Sequence, residues 1–339
     1  MGKNKNSNKS LLPFVSVCTP TFNRRPFIPY MIKCFLHQTY PKDRIEWIII
    51  DDGTDPIKDL VENIPQVKYF YYEEKMLLGK KRNLMHTKCK GEIIIYMDDD
   101  DYYPEERISH AVDILTKNPN FLIAGSSEMH IYFDSKNCLY QCGPYKQNHS
   151  TAATFAFKKE LLNITKYDDQ NGLAEERNFL KGYTIPLIQL NTLKSILVFS
   201  HKHNSLNKEK LLENCEATKT VLSRYNVDHF IKDPELKQFY MKDMNSVLEN
   251  YLPGRPENKP ELNKQIIKME EERNKRINNQ KKMLETQQKI IDNMNKPIIK
   301  EIEELRREYE DKMSEKNCLI NDLLKKIKML TEELKIYKK

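Results

Sequence analysis

The chain has 339 residues, 39% hydrophobic and 31% charged: enough to bury at least one substantial core, yet too polar to be globular throughout. Its net charge of +7 is a small excess of 56 basic over 49 acidic residues, so nothing in it calls for a nucleic-acid partner. Seven scattered cysteines lack the paired spacing of a disulfide framework, and no apolar run reaches the length of a signal peptide or an integral membrane segment, which leaves a cytoplasmic location as the default.

Composition divides the chain into a polar leader over residues 1–10, a mixed apolar and polar region over 11–252, a proline-rich linker over 253–260 and a Lys/Glu/Asn-rich tail over 261–339. In the mixed region, short apolar runs at 14–18, 46–50, 67–72 and 92–97 read as strands. Amphipathic stretches at 26–38, 80–87 and 104–117 read as helices, the last with Pro104 and the acids Glu105 and Glu106 in its opening turn. Strands this short and this continuously apolar are buried on both faces, and their alternation with helices predicts an α/β sheet covered on its two sides. In the tail, Ile320, Leu323, Ile327, Leu330, Leu334 and Tyr337 follow the 3,4 spacing of a helical coiled-coil seam, which needs a partner, a second copy being the simplest. The upstream half, with Ile266, Met269, Ile277, Leu284 and Ile291, is looser, and Pro297 is expected to kink or divide it.

The run Ile93-Ile94-Ile95-Tyr96-Met97-Asp98-Asp99-Asp100-Asp101 carries the most specific signal, an apolar strand delivering four carboxylates at its carboxyl end. Adjacent carboxylates raise one another's pKa and destabilise the fold unless a cation answers them, and a divalent metal is the natural one. The competing reading is an acidic loop that caps the next helix through its dipole. Two earlier strands also end in polar residues, one in Thr19-Pro20-Thr21-Phe22-Asn23-Arg24 and one in Asp51-Asp52-Gly53-Thr54, and ligands of open α/β sheets bind beyond such strand ends. At a helix start, Gly79-Lys80-Lys81-Arg82-Asn83 offers free backbone donors and Arg82 to a diphosphate, while Lys80 and Lys81 read as ordinary solvated charges.

In content and order these motifs resemble the family 2 glycosyltransferases over residues 15–207. The resemblance implies a GT-A fold, a Rossmann-like nucleotide-sugar-binding domain, with Thr19, Pro20 and Thr21 holding the nucleoside beside Asn23 and Arg24. It implies that Asp51 or Asp52 reads the base, and that Gly79, Arg82 and Asn83 lie near the diphosphate. Asp98-Asp99-Asp100 stands for the family's Asp-x-Asp motif: Asp98 and Asp100 are the expected ligands of Mn²⁺ or Mg²⁺, Asp100 first, Asp99 faces the donor, and four acids in a row leave the register open. The catalytic base is expected in Glu175-Glu176, with Glu176 first and Asp168 or Asp169 as alternatives; the family often has Asp where Glu176 stands. Of His201 and His203, which resemble the family's His-containing segment, His203 is the preferred ligand for the metal or diphosphate. Residues 150–154, Phe155 and Phe157 fall where the family forms its acceptor side, or else serve strand packing.

The expected activity is inverting transfer of a sugar from a nucleotide-sugar donor, a UDP-sugar by resemblance, to a hydroxyl of a glycan, protein or lipid. Two other readings compete: a nucleotidyltransferase, whose glycine-rich loop is missing near the first strand, and a coiled-coil scaffold whose head binds nucleotide-sugar or glycan without turnover.

Overall fold

The structure, a computed structural model, describes residues 12–337; the polar leader and the side chain of Tyr337 lie outside the described residues. The chain forms two compact units, one ending at Ile267 and one beginning at Lys268.

The first unit is built on a seven-stranded mixed sheet. In chain order its elements open with β1 (Val15–Thr21), α1 (Ile28–Leu36), β2 (Ile45–Asp51), α2 (Lys58–Val61), β3 (Val67–Tyr71), α3 (Leu78–Lys88), β4 (Ile93–Tyr96) and α4 (Arg107–Lys117). They continue through β5 (Ile123–Gly125), β6 (Met129–Phe133), β7 (Cys138–Cys142), β8 (Ala156–Lys158), β9 (Leu187–Gln189), β10 (Leu197–Ser200) and β11 (Thr220–Leu222). The large sheet runs β3-β2-β1-β4-β8-β5-β9, parallel except where β8 pairs antiparallel with both β4 and β5. A second, four-stranded sheet runs β10-β6-β7-β11.

The α/β architecture expected from the alternating runs is therefore present, and side-chain alternation explains why the runs are continuously apolar. Val17, Trp47, Ile49 and Ile95 join one core cluster with Phe27, Phe35, Ile108 and Leu115. Cys18, Ile48, Ile50, Ile94 and Tyr96 point the other way, into a cluster with Met85, Phe155, Phe157 and Phe179. Ile48, Ile49 and Ile50 are all completely buried, each contributing roughly 2 kcal/mol of hydrophobic stabilisation. Phe155 and Phe157 are equally buried, so of their two readings it is strand packing that the structure carries.

Helix α3 departs from the usual apolar stripe. It buries Lys81 and Arg82 along with Gly79, Met85 and His86. Burying cations is costly unless each is answered, so this face marks where charge has been gathered deliberately.

Two features of the carboxyl-terminal third bear on the expectations for the linker and for Pro297, which does not divide the final helix. Residues 253–260 are packed against the first unit as two short 3-10 turns instead of forming a spacer. Asn23 Nδ2 donates to Pro253 O (3.0 Å) and Arg24 Nη1 to Gly254 O (3.3 Å), and Gly254 lies so close to His203 that an added Cβ would stand 2.7 Å from Nδ1. The final helix, Pro260–Tyr337, is unbroken through Pro297. In the second unit, Ile320, Leu323, Ile327, Leu330 and Leu334 are all more than half exposed, an apolar seam without a cover of its own. No helix among the described residues is long and apolar enough to cross a membrane.

Candidate active site

The strand order creates the site. From β1 the chain steps to β2 and β3 on one side, then returns to β4 on the other, so the carboxyl ends of β1 and β4 diverge around a crevice. β4 leaves β1 after the pair Cys18↔Tyr96, and the acidic run turns into the opening. There it is pinned. The Thr19 hydroxyl donates to Met97 O (2.6 Å), Asp98 N–H donates to the Tyr103 hydroxyl (2.8 Å), and Tyr102 bridges to Leu197 of β10. That bridge carries the second sheet, and the histidines that follow it, up to the acids.

A cleft at this crevice is lined by Pro20, Thr21 and Phe22 at the end of β1, by Asp98, Asp99 and Asp100 after β4, by residues 75–78, Lys81 and Arg82, and by Lys259, Glu261 and Leu262. The acids in it are unequal. Asp100 Oδ2 lies 3.2 Å from His201 Nε2 and 3.4 Å from Arg24 Nη2; although burial would raise its pKa, these partners hold Asp100 well below the usual carboxylate range. Asp99, 3.6 Å from Arg24 Nε, is pushed up to about 7 by burial and by the charge of Asp100. Burial also raises Asp98, against the pull of Arg82 Nη2 at 3.7 Å. Asp101 is raised by burial and by Asp100, accepts from Phe199 N–H (3.3 Å), and does not line the cleft.

The end of β2 is different. Asp51 accepts from Gly53 N–H (2.9 Å), Ile57 N–H (3.1 Å) and the Tyr69 hydroxyl (2.7 Å). Asp52 accepts from Lys81 Nζ and from Met76 N–H (2.6 Å). Both are buried, both are answered, and neither lines the cleft. Lys81, expected as a solvated charge, is instead 4% exposed and bound between Asp52 and Thr21 O (2.9 Å), because a buried carboxylate needs a cation there. Thr19, which also accepts from Trp47 Nε1 (2.9 Å), is completely buried and fastens β1 to β4, while Pro20 and Thr21 reach the cleft. Asn23, at φ +52°, uses Oδ1 to accept from Thr54 N–H and Asp55 N–H, joining the ends of β1 and β2.

Helix α3 organises the loop that carries the acid pair. Gly79 approaches that loop so closely that a Cβ would stand 2.0 Å from Asp168 O, and its N–H, expected as a free donor, bonds Asn171 O (2.8 Å). Asn83 accepts from Tyr167 N–H (3.0 Å) and donates to Tyr167 O (2.9 Å) and Asp169 Oδ1 (2.7 Å). Arg82 reaches from the cleft to Glu175, Nε to Oε1 3.0 Å, while its guanidinium lies 4.3 Å from the Tyr96 ring centre. Glu175 is thus tied to Arg82, and its neighbour Glu176 is pushed up to about 7 by burial and by the charge of Glu175. Asp168 and Asp169 are exposed and face a separate hollow with Lys166, Tyr167 and Asn178. Neither Glu175 nor Glu176 lines the donor-side cleft itself.

His201, not the preferred His203, faces Asp100. His203 N–H donates to His201 Nδ1 (3.2 Å), His201 Nε2 lies between Asp100 Oδ2 (3.2 Å) and Asn204 Nδ2 (2.8 Å), and burial pulls His201 down to about 4, so it is neutral. His203 is also buried and pulled down to about 4; its backbone O accepts from Arg24 Nη2 (2.8 Å), and its Nδ1 has no hydrogen-bond partner. The sequence offered little to separate two histidines two residues apart at the end of one strand.

A divalent cation fits this chemistry in part. Among the described residues no three His, Cys, Asp or Glu side chains gather as a ready ligand set. Asp98 Oδ1, however, is buried without a hydrogen-bond partner, and both Asp98 and Asp100 line the cleft. One or two carboxylates suit an ion that takes its remaining ligands from water and substrate phosphates.

Comparison with known proteins agrees with the motif order. The family model described as "Glycosyl transferase family 2" matches residues 16–163. An uncharacterized glycosyltransferase of Haemophilus influenzae is 28% identical over 112 residues, covering 32% of this chain and 44% of that protein. The poly(ribitol-phosphate) beta-N-acetylglucosaminyltransferase TarS of Staphylococcus aureus is 27% identical over 116 residues, covering 30% of this chain and 19% of its own length. A solved mannosyltransferase of Pyrobaculum calidifontis, in complex with GDP-Man and Mn²⁺, superposes with a TM-score of 0.48 at 17% identity over 72% of each chain. This chain thus spans less than half the length of either curated relative.

Proposed function

We propose, from the match of residues 16–163 to the model of glycosyl transferase family 2, that the chain transfers a sugar from a nucleoside diphosphate donor to an acceptor hydroxyl in one inverting displacement. The observation that carries the reading is the Arg82 bridge: one buried guanidinium joins Asp98, on the cleft, to Glu175, beside the near-neutral Glu176.

Glu176 is the base in this proposal. A carboxylate with a pKa near 7 takes a proton more readily than an ordinary one and is still ionised in a useful fraction at neutral pH. Glu175, held by Arg82, stands beside Glu176 and, together with burial, raises its pKa. As the acceptor oxygen forms its bond to the anomeric carbon, its proton passes to Glu176 and the bond to the diphosphate oxygen breaks, releasing nucleoside diphosphate. Arg24 and Arg82, already fixed by their carboxylates, supply positive charge where negative charge builds on the leaving group. Asp98 and Asp100 would hold Mn²⁺ or Mg²⁺, which when bound supplies further charge neutralisation to that leaving group.

The test is incubation of the full chain with a panel of nucleotide sugars and Mn²⁺, following nucleoside diphosphate release alongside melting temperature. Release with one donor supports the transferase. Melting shifts without release from any donor on any offered acceptor would favour a binding head, and pyrophosphate release from nucleotide triphosphates would favour a nucleotidyltransferase.

A further inference from the structure

Five cationic side chains line the cleft: Arg24, Lys75, Lys81, Arg82 and Lys259. Four of them have a carboxylate of their own. Arg24 faces Asp99 and Asp100, Lys75 pairs with Glu261 (2.6 Å), Lys81 with Asp52, and Arg82 with Glu175. Lys259 has none within 4 Å among the described residues, although it is only 7% exposed; its Nζ donates to Ser205 Oγ (3.1 Å) and stands 5.9 Å from the centre of the Phe22 ring.

A buried ammonium without an anion is costly to keep charged. Burial and the neighbouring Arg24 pull Lys259 down to about 7, and the charges of Asp100 and Asp99, which raise it, do not reverse that. The fold nonetheless holds the residue firmly in place. Lys259 N–H bonds Pro256 O (2.9 Å), and its carbonyl accepts from Leu262 N–H (3.0 Å) as the final helix begins. On one rim Lys75 Nζ bonds Asn258 O (2.7 Å). On the other, Gln265 Oε1 accepts from Gly172 N–H (2.9 Å) and Gln265 Nε2 donates to Gln170 O (2.8 Å). Residues 258–265 therefore form a strap across the cleft, fastened at both sides, with one unanswered cation on its inner face.

We propose that Lys259 binds the diphosphate of the nucleotide donor, so that the base of the final helix completes the donor site. This rests on the donor reading above and adds a residue that lies outside the matched family segment. The ammonium suits a diphosphate because a multiply charged anion gives it the ion pair the protein withholds, whereas a neutral nucleoside or sugar gives it none.

Calorimetry on the full chain with Mn²⁺ tests this, using UDP, GDP, inorganic pyrophosphate, uridine and guanosine against wild type, Lys259→Met, Lys259→Arg and the exposed control Lys80→Met. The expected result is roughly a ten- to hundredfold loss of affinity for the preferred nucleoside diphosphate and for pyrophosphate in Lys259→Met, the worth of one charge-assisted hydrogen bond. Nucleoside affinity is unchanged, Lys259→Arg largely restores binding, and Lys80→Met matches wild type. Equal diphosphate affinity in Lys259→Met, or an equal loss for nucleosides, overturns the assignment while leaving the donor reading standing. Wild type that binds none of the probes overturns both. Should the Met variant fail to melt cooperatively, amine acetylation of wild type read by mass spectrometry decides. Pyrophosphate protects Lys259 if the proposal holds, and labelling indifferent to pyrophosphate rejects it.

Discussion

The two strands that flank β1, β2 and β4, each deliver consecutive aspartates beyond an apolar run, and the molecule uses them in opposite ways. At the end of β2, Asp51 and Asp52 are saturated by backbone N–H groups, a tyrosine hydroxyl and the Lys81 ammonium. At the end of β4, Asp98 has an oxygen with no hydrogen-bond partner, Asp99 is raised to about 7, and Asp100 is shared between an arginine and a histidine. The same local sequence signal therefore makes a folded corner in one place and an unsaturated, ligand-facing cluster in the other. What separates them is not the acids but the donors each meets, some from its own loop and some from distant parts of the chain.

The comparison breaks most visibly in activity. Asp100→Ala is expected to lower metal-dependent turnover by about a thousandfold, several kcal/mol of transition-state stabilisation, and to leave the melting transition cooperative. Glu176→Gln, which keeps the shape of the side chain and removes the base, is expected to cost about 10²–10⁴-fold in kcat with donor affinity retained. Nucleoside diphosphate release under saturating donor measures both. If either variant turns over at the wild-type rate, the corresponding role is removed.

The β2 end sharpens the contrast through stability. Asp52→Ala leaves Lys81 buried and uncompensated, and is expected to destabilise the first unit by about 3 kcal/mol in denaturant unfolding. Asp52→Ala combined with Lys81→Met, which removes both charges, recovers most of that loss. A single variant as stable as wild type would mean that the β2 acids are no more saturated than the β4 acids.

Much of this frame is legible in the chain itself. The isoleucine-rich runs of β2 and β4 and the amphipathic α4 announce their own burial, because periodicity is a local property. The acidic run stands out for a similar reason, since like charges placed side by side need an answer, whereas Glu175-Glu176 is picked out only by the resemblance to the family's motif order. What cannot be read is who answers. Lys81 meets Asp52 across 29 positions and Arg24 meets Gly254 across 230, and no pattern in either segment encodes the meeting. Residues 253–260 look like a spacer because prolines interrupt helices, but proline-fixed turns are equally suited to a wall, and here they form one. Lys259, between two such turns and a helix, carries no sequence mark of its own.

A smaller effect follows from acidity. Glu176 is raised to about 7, so below that pH it is protonated and cannot accept the acceptor's proton; kcat/KM is expected to rise with pH through about 7 and to fall about tenfold per unit on the acid side. Asp99 titrates in the same range, raised by burial and by Asp100, so the limb is read again in Asp99→Asn. If the acid limb persists there, it belongs to the base; if it vanishes, the titration belongs to the β4 end and the role of Glu176 loses its support.

The smallest expected effect lies at the boundary between the two units. A chain ending at Ile267 retains Lys259, Leu262 and Gln265, and with them the strap and both aspartate ends, so turnover and melting are expected at wild-type level. A chain ending at Pro256, where composition alone would place the cut, loses the strap and leaves the wall of the cleft open, and donor binding falls while the saturated β2 corner is untouched. Sedimentation of the longer truncation beside the full chain then assigns the exposed seam from Ile320 to Leu334. A drop in assembly mass with activity unchanged makes it a contact between copies, and an unchanged mass rejects self-association through it.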